Sequence, residues 1–96
     1  MLSGKQRRHL RGLGHNLNPI VTVGKDGVSP GLVAAIDQAL ADHELVKIRI
    51  GQNSTVDQDQ AVAEIADSTT SEVAQILGST FLLYRRHPDE PKIKLP

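Results

Sequence analysis

Two β-branched runs separated by one amphipathic stretch constrain this chain more than any other feature. Pro19-Ile20-Val21-Thr22-Val23 and Leu45-Val46-Lys47-Ile48-Arg49-Ile50 have the composition of strands. Pro19 suits a first strand position, where its missing N–H does least harm. Between the runs, Ser29 is placed to cap a helix, Pro30 fits its first turn, and the pattern continues to about His43. Leu32, Val33, Ile36, Ala39 and Leu40 fall within one arc of that helix, with Asp37, Gln38 and Asp42 outside it. Strand, helix, strand in this order predicts a right-handed crossover between parallel strands. In the second strand Ile48 and Ile50 point to the core and Lys47 and Arg49 to solvent.

The flanking segments extend this unit. Ser3 is a natural N-cap, and residues 4–13 read as a helix ended by Gly12, Gly14 and the polar pair His15-Asn16. Leu2, Leu10, Leu13 and Gln6 share one face of it; Lys5, Arg7, Arg8 and Arg11 lie on the opposite arc. A third helix, capped by Ser54 or Thr55, runs to about Thr69 or Thr70. It buries Ala61, Val62, Ile65 and Ala66 and turns Asp57, Glu64 and Asp67 outward. Residues 72–77 and 80–84 are strands, joined by Gly78-Ser79 as a type II′ hairpin loop. Pro88, Pro91 and Pro96 make residues 85–96 an extended tail, with Ile93 and Leu95 available to dock it. The expectation is an α/β chain of order αβαβαββ, a four-stranded mixed sheet packed with three helices, forming a single domain over residues 1–96.

Most catalytic chemistries find no support. The chain has no cysteine, which excludes disulfides, thiolate zinc sites and cysteine nucleophiles. Gly12-Leu13-Gly14 begins a dinucleotide fingerprint, but Leu17 stands where the third glycine belongs, and a helix precedes it instead of a strand. His43-Glu44-Leu45-Val46-Lys47 opens like a zinc-protease helix but has Lys where the second His is needed. His9, His15, His43 and His87 are scattered, and no G-x-S-x-G elbow is present. We therefore expect no enzyme, no metal and no cofactor. No apolar run approaches a membrane span or a secretory signal, so a cytoplasmic monomer without membrane association is expected.

Charge is segregated along the chain although it sums to zero. Residues 1–25 carry Lys5, Arg7, Arg8, Arg11 and Lys25 with no acid; residues 26–84 carry nine acids against Lys47 and Arg49; residues 85–96 carry Arg85, Arg86, Lys92 and Lys94 against Asp89 and Glu90. A basic pole built from both ends points to a polyanion. Phe81 and Tyr84 are the only aromatics, so base stacking on an aromatic platform is disfavoured, and Tyr84 reads as a core-edge side chain. Backbone clamping remains. Gly24-Lys25-Asp26-Gly27 is a G-x-x-G loop between strand and helix, where glycines let the main chain approach a phosphate and Lys25 adds charge. K-homology RNA-binding modules place such a loop in this position. Arg85 and Arg86 form a second cationic pair as the last strand ends.

Ser3-Gly4-Lys5-Gln6-Arg7, the run from Pro19 to Gly27, His43-Glu44-Leu45-Val46-Lys47 and Leu83-Tyr84-Arg85 together resemble the CRM domain (chloroplast RNA splicing and ribosome maturation), in its single-domain bacterial YhbY-type form. The resemblance extends from Leu2 to Leu95. It implies a fold similar to the C-terminal domain of translation initiation factor 3, and RNA binding through the G-x-x-G loop and neighbouring basic surface. It also implies association with precursors of the large ribosomal subunit (pre-50S particles) in ribosome biogenesis. By position, Gly24, Lys25, Asp26 and Gly27 match the RNA-contacting loop, and Lys5, Arg7, Arg8 and Arg11 match the basic first helix less strictly. Asn18 stands where a Lys is common, and Ser29-Pro30-Gly31 replaces a Thr-Glu-like helix start. The expected function is binding of ribosomal RNA in support of large-subunit assembly. The alternative is a protein-interaction module whose acidic third-helix face binds a basic ribosomal protein.

Overall fold

The computed structural model describes every residue except Met1, Asn53 and Thr55. Helix α1 (Gly4–Gly14), strand β1 (Pro19–Val23), helix α2 (Pro30–His43), strand β2 (Leu45–Ile50), helix α3 (Gln58–Ser68) and strands β3 (Glu72–Leu77) and β4 (Thr80–Tyr84) follow the expected order. The strands form one sheet in the order β1-β2-β4-β3. β1 is parallel to β2, and β4 is antiparallel to both β2 and β3. The sheet is therefore mixed, and β1, β2 and β3 all point the same way. In the closing hairpin only Gly78 has a positive φ, 59°, which fits the type II′ pattern.

Alternation along the strands divides the interior into two layers. Val46, Ile48 and Ile50 of β2, with Val23, Phe81 and Leu83, pack under Ile36 and Leu40 of α2 and Ala61, Val62 and Ile65 of α3. Leu45, on the opposite face, joins Ala74, Leu82 and Tyr84 under Leu2 and Leu10, beside Ile93 and Leu95 of the tail. Each such aliphatic side chain contributes roughly 1.5–3 kcal/mol when fully buried. α1 meets the sheet along Leu10 and Gly14; a Cβ at Gly14 would collide with Leu82 Cδ1, so a glycine lets the helix sit this close.

The N-caps of α1 and α3 are both built by side chains. The Ser3 hydroxyl accepts from Gln6 N–H at 3.1 Å while the Gln6 side chain accepts from Ser3 N–H at 3.0 Å, a reciprocal capping box. α3 begins later than its sequence pattern suggests. Its N-cap is Asp57, whose carboxylate accepts from Gln60 N–H at 3.1 Å, instead of Ser54; Thr55, the other expected cap, lies outside the described residues. Asp57 is thus a helix cap as well as an exposed acid. The helix ends at Ser68, with Thr69 as C-cap, its buried hydroxyl donating to the Ile65 carbonyl at 2.8 Å. Leu13 is a further departure. It is 44% exposed, because the contact line through Leu10 and Gly14 leaves it on the flank of α1.

Candidate nucleic-acid interface

The loop from Gly24 to Gly27 leaves the end of β1 as a closed turn, with Gly27 N–H donating to the Gly24 carbonyl at 3.0 Å. Lys25 and Asp26 are exposed at its tip. Its two glycines are not equivalent. Gly27 has φ 65°, and a Cβ there would lie 2.9 Å from Val56 Cγ1, so conformation and space both demand glycine. At Gly24 a Cβ would meet nothing within 4 Å. The fold tolerates a side chain there; what glycine provides at Gly24 is bare main chain beside Lys25.

The cations expected on one surface are distributed over several. Arg7 donates from Nη1 to the Val73 carbonyl at 2.9 Å, at the start of β3. The loop stands at the end of β1, on the opposite edge of the sheet. Because β1 and β3 point the same way, Arg7 and the loop occupy diagonal corners, about 20 Å apart by strand rise and spacing. Lys5 belongs to the same first turns of α1 as Arg7. Arg8, Arg11 and His15 lie at helical spacing along one flank of α1. Arg11 and His15 line a cleft of about 400 Å³ with Lys47, Gln75, Thr80 and Leu82.

Arg85 and Arg86 separate completely. The Arg85 guanidinium turns to the α2–α3 side, where Nη1 lies 2.6 Å from Asp37 Oδ1 and 2.7 Å from the Thr69 carbonyl, and Nη2 lies 3.0 Å from the Asp37 carbonyl. It ties the exit of β4 to α2 and to the end of α3. Arg86 is exposed beside Gln6, Ile93 and Lys94, at the corner remote from the loop.

Lys47 and Arg49 take the place of the absent partners. From the sequence they are merely solvent-facing. In the fold they share the face of Leu45: Lys47 is half-buried against the end of α1, and Arg49 is exposed farther along the strand. Arg49 pairs with Thr22 on one side and Thr80 on the other. Thr22 precedes Gly24 by two residues, so the row leads directly into the loop. A strip of positive charge thus runs from Arg11 over Lys47 and Arg49 to Lys25, with the His15 ring beside Arg11 and Asp26 the acid adjoining it. Asp37, Asp42, Asp59, Glu64 and Asp67 are exposed on α2 and α3, across the sheet. These five acids thus lie on the face opposite the strip, while Glu72 stays on the α1 side, where it accepts the Leu2 N–H at 2.8 Å, and Arg85 faces Asp37.

Glu44 is the residue that sequence patterns least disclose. It is 1% exposed and has φ 66°, a backbone conformation that side-chain-bearing residues seldom adopt. Its Oε1 accepts from Lys92 N–H at 2.6 Å and Ile93 N–H at 2.9 Å, and its Oε2 from His87 N–H at 2.8 Å. Burial alone would push the carboxyl up; the three amides, with His87 nearby, outweigh it and hold the group below its ordinary value. The tail is fastened by this carboxylate, which seats Ile93 against the α1 side of the sheet. The segment His43–Lys47 is therefore architectural through Glu44 and Leu45, as its position between helix and strand suggests, while Lys47 serves the charged strip. Tyr84 is buried at the core edge with its hydroxyl unpaired, and burial followed by the nearby Glu44 pushes its phenol up. None of the described helices is long and apolar enough to cross a membrane.

A family model described as the CRS1 / YhbY (CRM) domain matches residues 2–85. A Bacillus subtilis protein named "Probable RNA-binding protein YqeI" is 36% identical over 96 residues, covering all of both chains. A Haemophilus influenzae protein named "RNA-binding protein" is 37% identical over 95 residues, covering 99% of this chain and 95% of that one. The fold is also similar to the solution structure of SAV1595 from Staphylococcus aureus, a hypothetical protein described as a candidate RNA binder. The TM-score is 0.83 at 38% identity, over the full length of both chains.

Proposed function

Because the chain belongs to the CRS1 / YhbY (CRM) domain family, we propose that it is a non-catalytic, single-domain RNA-binding protein of the cytoplasm that binds ribosomal RNA as a monomer and assists assembly of the large ribosomal subunit. The observation that carries the reading is the positive strip from Arg11 through Lys47 and Arg49 to the Gly24–Gly27 loop, on the face away from the exposed acids of α2 and α3. In this mechanism Lys25 and the bare main chain at Gly24 hold one stretch of sugar–phosphate backbone. Arg49 and Lys47 neutralise the next phosphates, and Arg11 and Arg8 orient the strand along α1. Contacts of this kind fix position and register with little dependence on base identity. Lys5, Arg7 and Arg86, at the remote corner, would serve an RNA large enough to wrap past the sheet edge.

The test uses charge reversal on exposed or half-exposed positions. Arg11→Glu, Lys47→Glu and Arg49→Glu combined should abolish retention of ribosomal RNA at moderate salt while circular dichroism and melting temperature stay close to wild type. Co-sedimentation with large-subunit precursors should be lost in parallel. Retention unaffected by the triple reversal would remove the strip as the contact surface. Loss of RNA binding with undiminished co-sedimentation would favour a protein partner, and the acidic surface formed by Asp59, Glu64 and Asp67 would then be the place to look.

A further inference from the structure

On the other flank of α1, opposite the cationic cleft, lies a second depression of about 420 Å³. Leu13, Leu17 and Ile20 line it, with Ile93 of the fastened tail; Asn18, His43 and Lys47 are its polar residues. Leu13, Leu17 and Ile20 are 44%, 37% and 42% exposed, large values for aliphatic side chains lying together. Lys47 belongs to the walls of both depressions, so the apolar floor and the Arg11–His15 cleft share this lysine. A single ligand unit that combines a flat apolar face with an anion a few ångströms away is a nucleotide.

We propose that this depression receives an unstacked base of the bound RNA strand. The inference rests on the RNA-binding reading and deepens it, from a surface that holds phosphates to one that selects single-stranded segments. The base would lie against Leu13, Leu17 and Ile20, its phosphate held by Lys47. The Asn18 side-chain amide offers one acceptor and two donor hydrogens to a base edge. Charge complementarity decides the occupant: an apolar protein segment would leave Lys47 without an anionic partner, whereas a nucleotide satisfies both floor and rim. Duplex RNA would engage the strip by its backbone but could not fill the depression, because its bases are stacked and paired.

The experiment compares a short single-stranded RNA carrying one aminopurine with the same strand annealed to its complement, by anisotropy and aminopurine fluorescence. The wild-type protein should bind the single strand more tightly and change its fluorescence. Leu13→Ala with Ile20→Ala should weaken single-strand binding severalfold, through the apolar area removed from the floor, with an unchanged salt slope. Duplex affinity should not move. Ile20→Phe, which keeps a strand-favouring residue at an exposed position, should strengthen single-strand binding by stacking. Equal affinity for the two RNA forms, with no response to either set of variants, would overturn the proposal. Lys47→Glu provides the separation: if it weakens both RNA forms while the alanine pair changes neither, RNA binding stands and base capture fails. If wild type binds neither RNA, the underlying reading fails first.

Discussion

The Glu44 carboxylate accepts the backbone N–H of Lys92 at 2.6 Å, across 48 residues of chain. With the His87 and Ile93 amides it makes one buried side chain responsible for the course of the tail. Hydrogen bonds to a charged acceptor contribute about 1.5–3 kcal/mol each, and removing one partner leaves the others buried without their bond. Glu44→Gln should therefore lower stability by about 2–4 kcal/mol and expose the segment from His87 to Ile93 to protease. Denaturant midpoints and limited proteolysis measure the two effects; a variant with both unchanged would contradict the role assigned to this carboxylate.

The same group predicts an acid response. Its folded-state pKa is depressed, so its stabilising effect is fully present above the ordinary value of 4.5 and is lost as pH falls from there through the folded value. Wild type should lose stability below that pH more steeply than Glu44→Gln, the two curves converging in acid. Thermal melts across an acid series would reveal a constant offset if Glu44 were not the group responsible.

Arg85 and Arg86 should behave oppositely despite adjacency. Arg85→Ala loses the links to Asp37 and Thr69. The ion pair is partly solvent-screened, so the expected cost is about 1 kcal/mol, with RNA affinity unchanged. Arg86→Ala should leave stability unchanged. Equal losses of stability in the two variants would mean that the Arg85 contacts are not maintained in solution.

The two loop glycines should also divide. Gly27→Ala forces a side chain into a positive φ and against Val56, and should cost about 1–3 kcal/mol. Gly24→Ala should leave the melting temperature near wild type yet weaken RNA binding by crowding the main chain. Undiminished RNA affinity in a fully folded Gly24→Ala protein would argue against backbone approach at this turn.

Lys25→Ala should weaken binding and reduce the salt slope by roughly one phosphate contact, a slope change of about 0.7–0.9. Titrations at several salt concentrations measure this, and an unaltered slope would remove Lys25 from the interface.

Local pattern was enough to place β1, α2, β2, β3 and β4, because the strand runs, the Ser29-Pro30 start and the Gly78 turn each carry a short-range cause. It was not enough for Asp57, since Ser54, Thr55 and Asp57 all have capping chemistry and only the course of the loop chooses among them. Arg85 looked like a surface cation because its carboxylate partner, Asp37, lies 48 residues away. Glu44 was opaque for a stronger reason: its partners are backbone amides, which have no residue identity to recognise. Lys47 and Arg49 could be assigned to the face opposite Ile48, but whether α1 would cover them depended on the strand order and on where Gly14 meets Leu82. The diagonal separation of Arg7 from the loop likewise follows from the order β1-β2-β4-β3, which no local pattern encodes.

The exposed acids of α2 and α3, across the sheet from Lys47 and Arg49, have a consequence for encounter itself. A nucleic acid drifting toward α2 and α3 meets repulsion, and the resulting torque swings the molecule until its opposite side leads. Landing would then be one-handed. Once seated, the protein would show its neighbours a negatively charged outer wall that repels a second strand of nucleic acid.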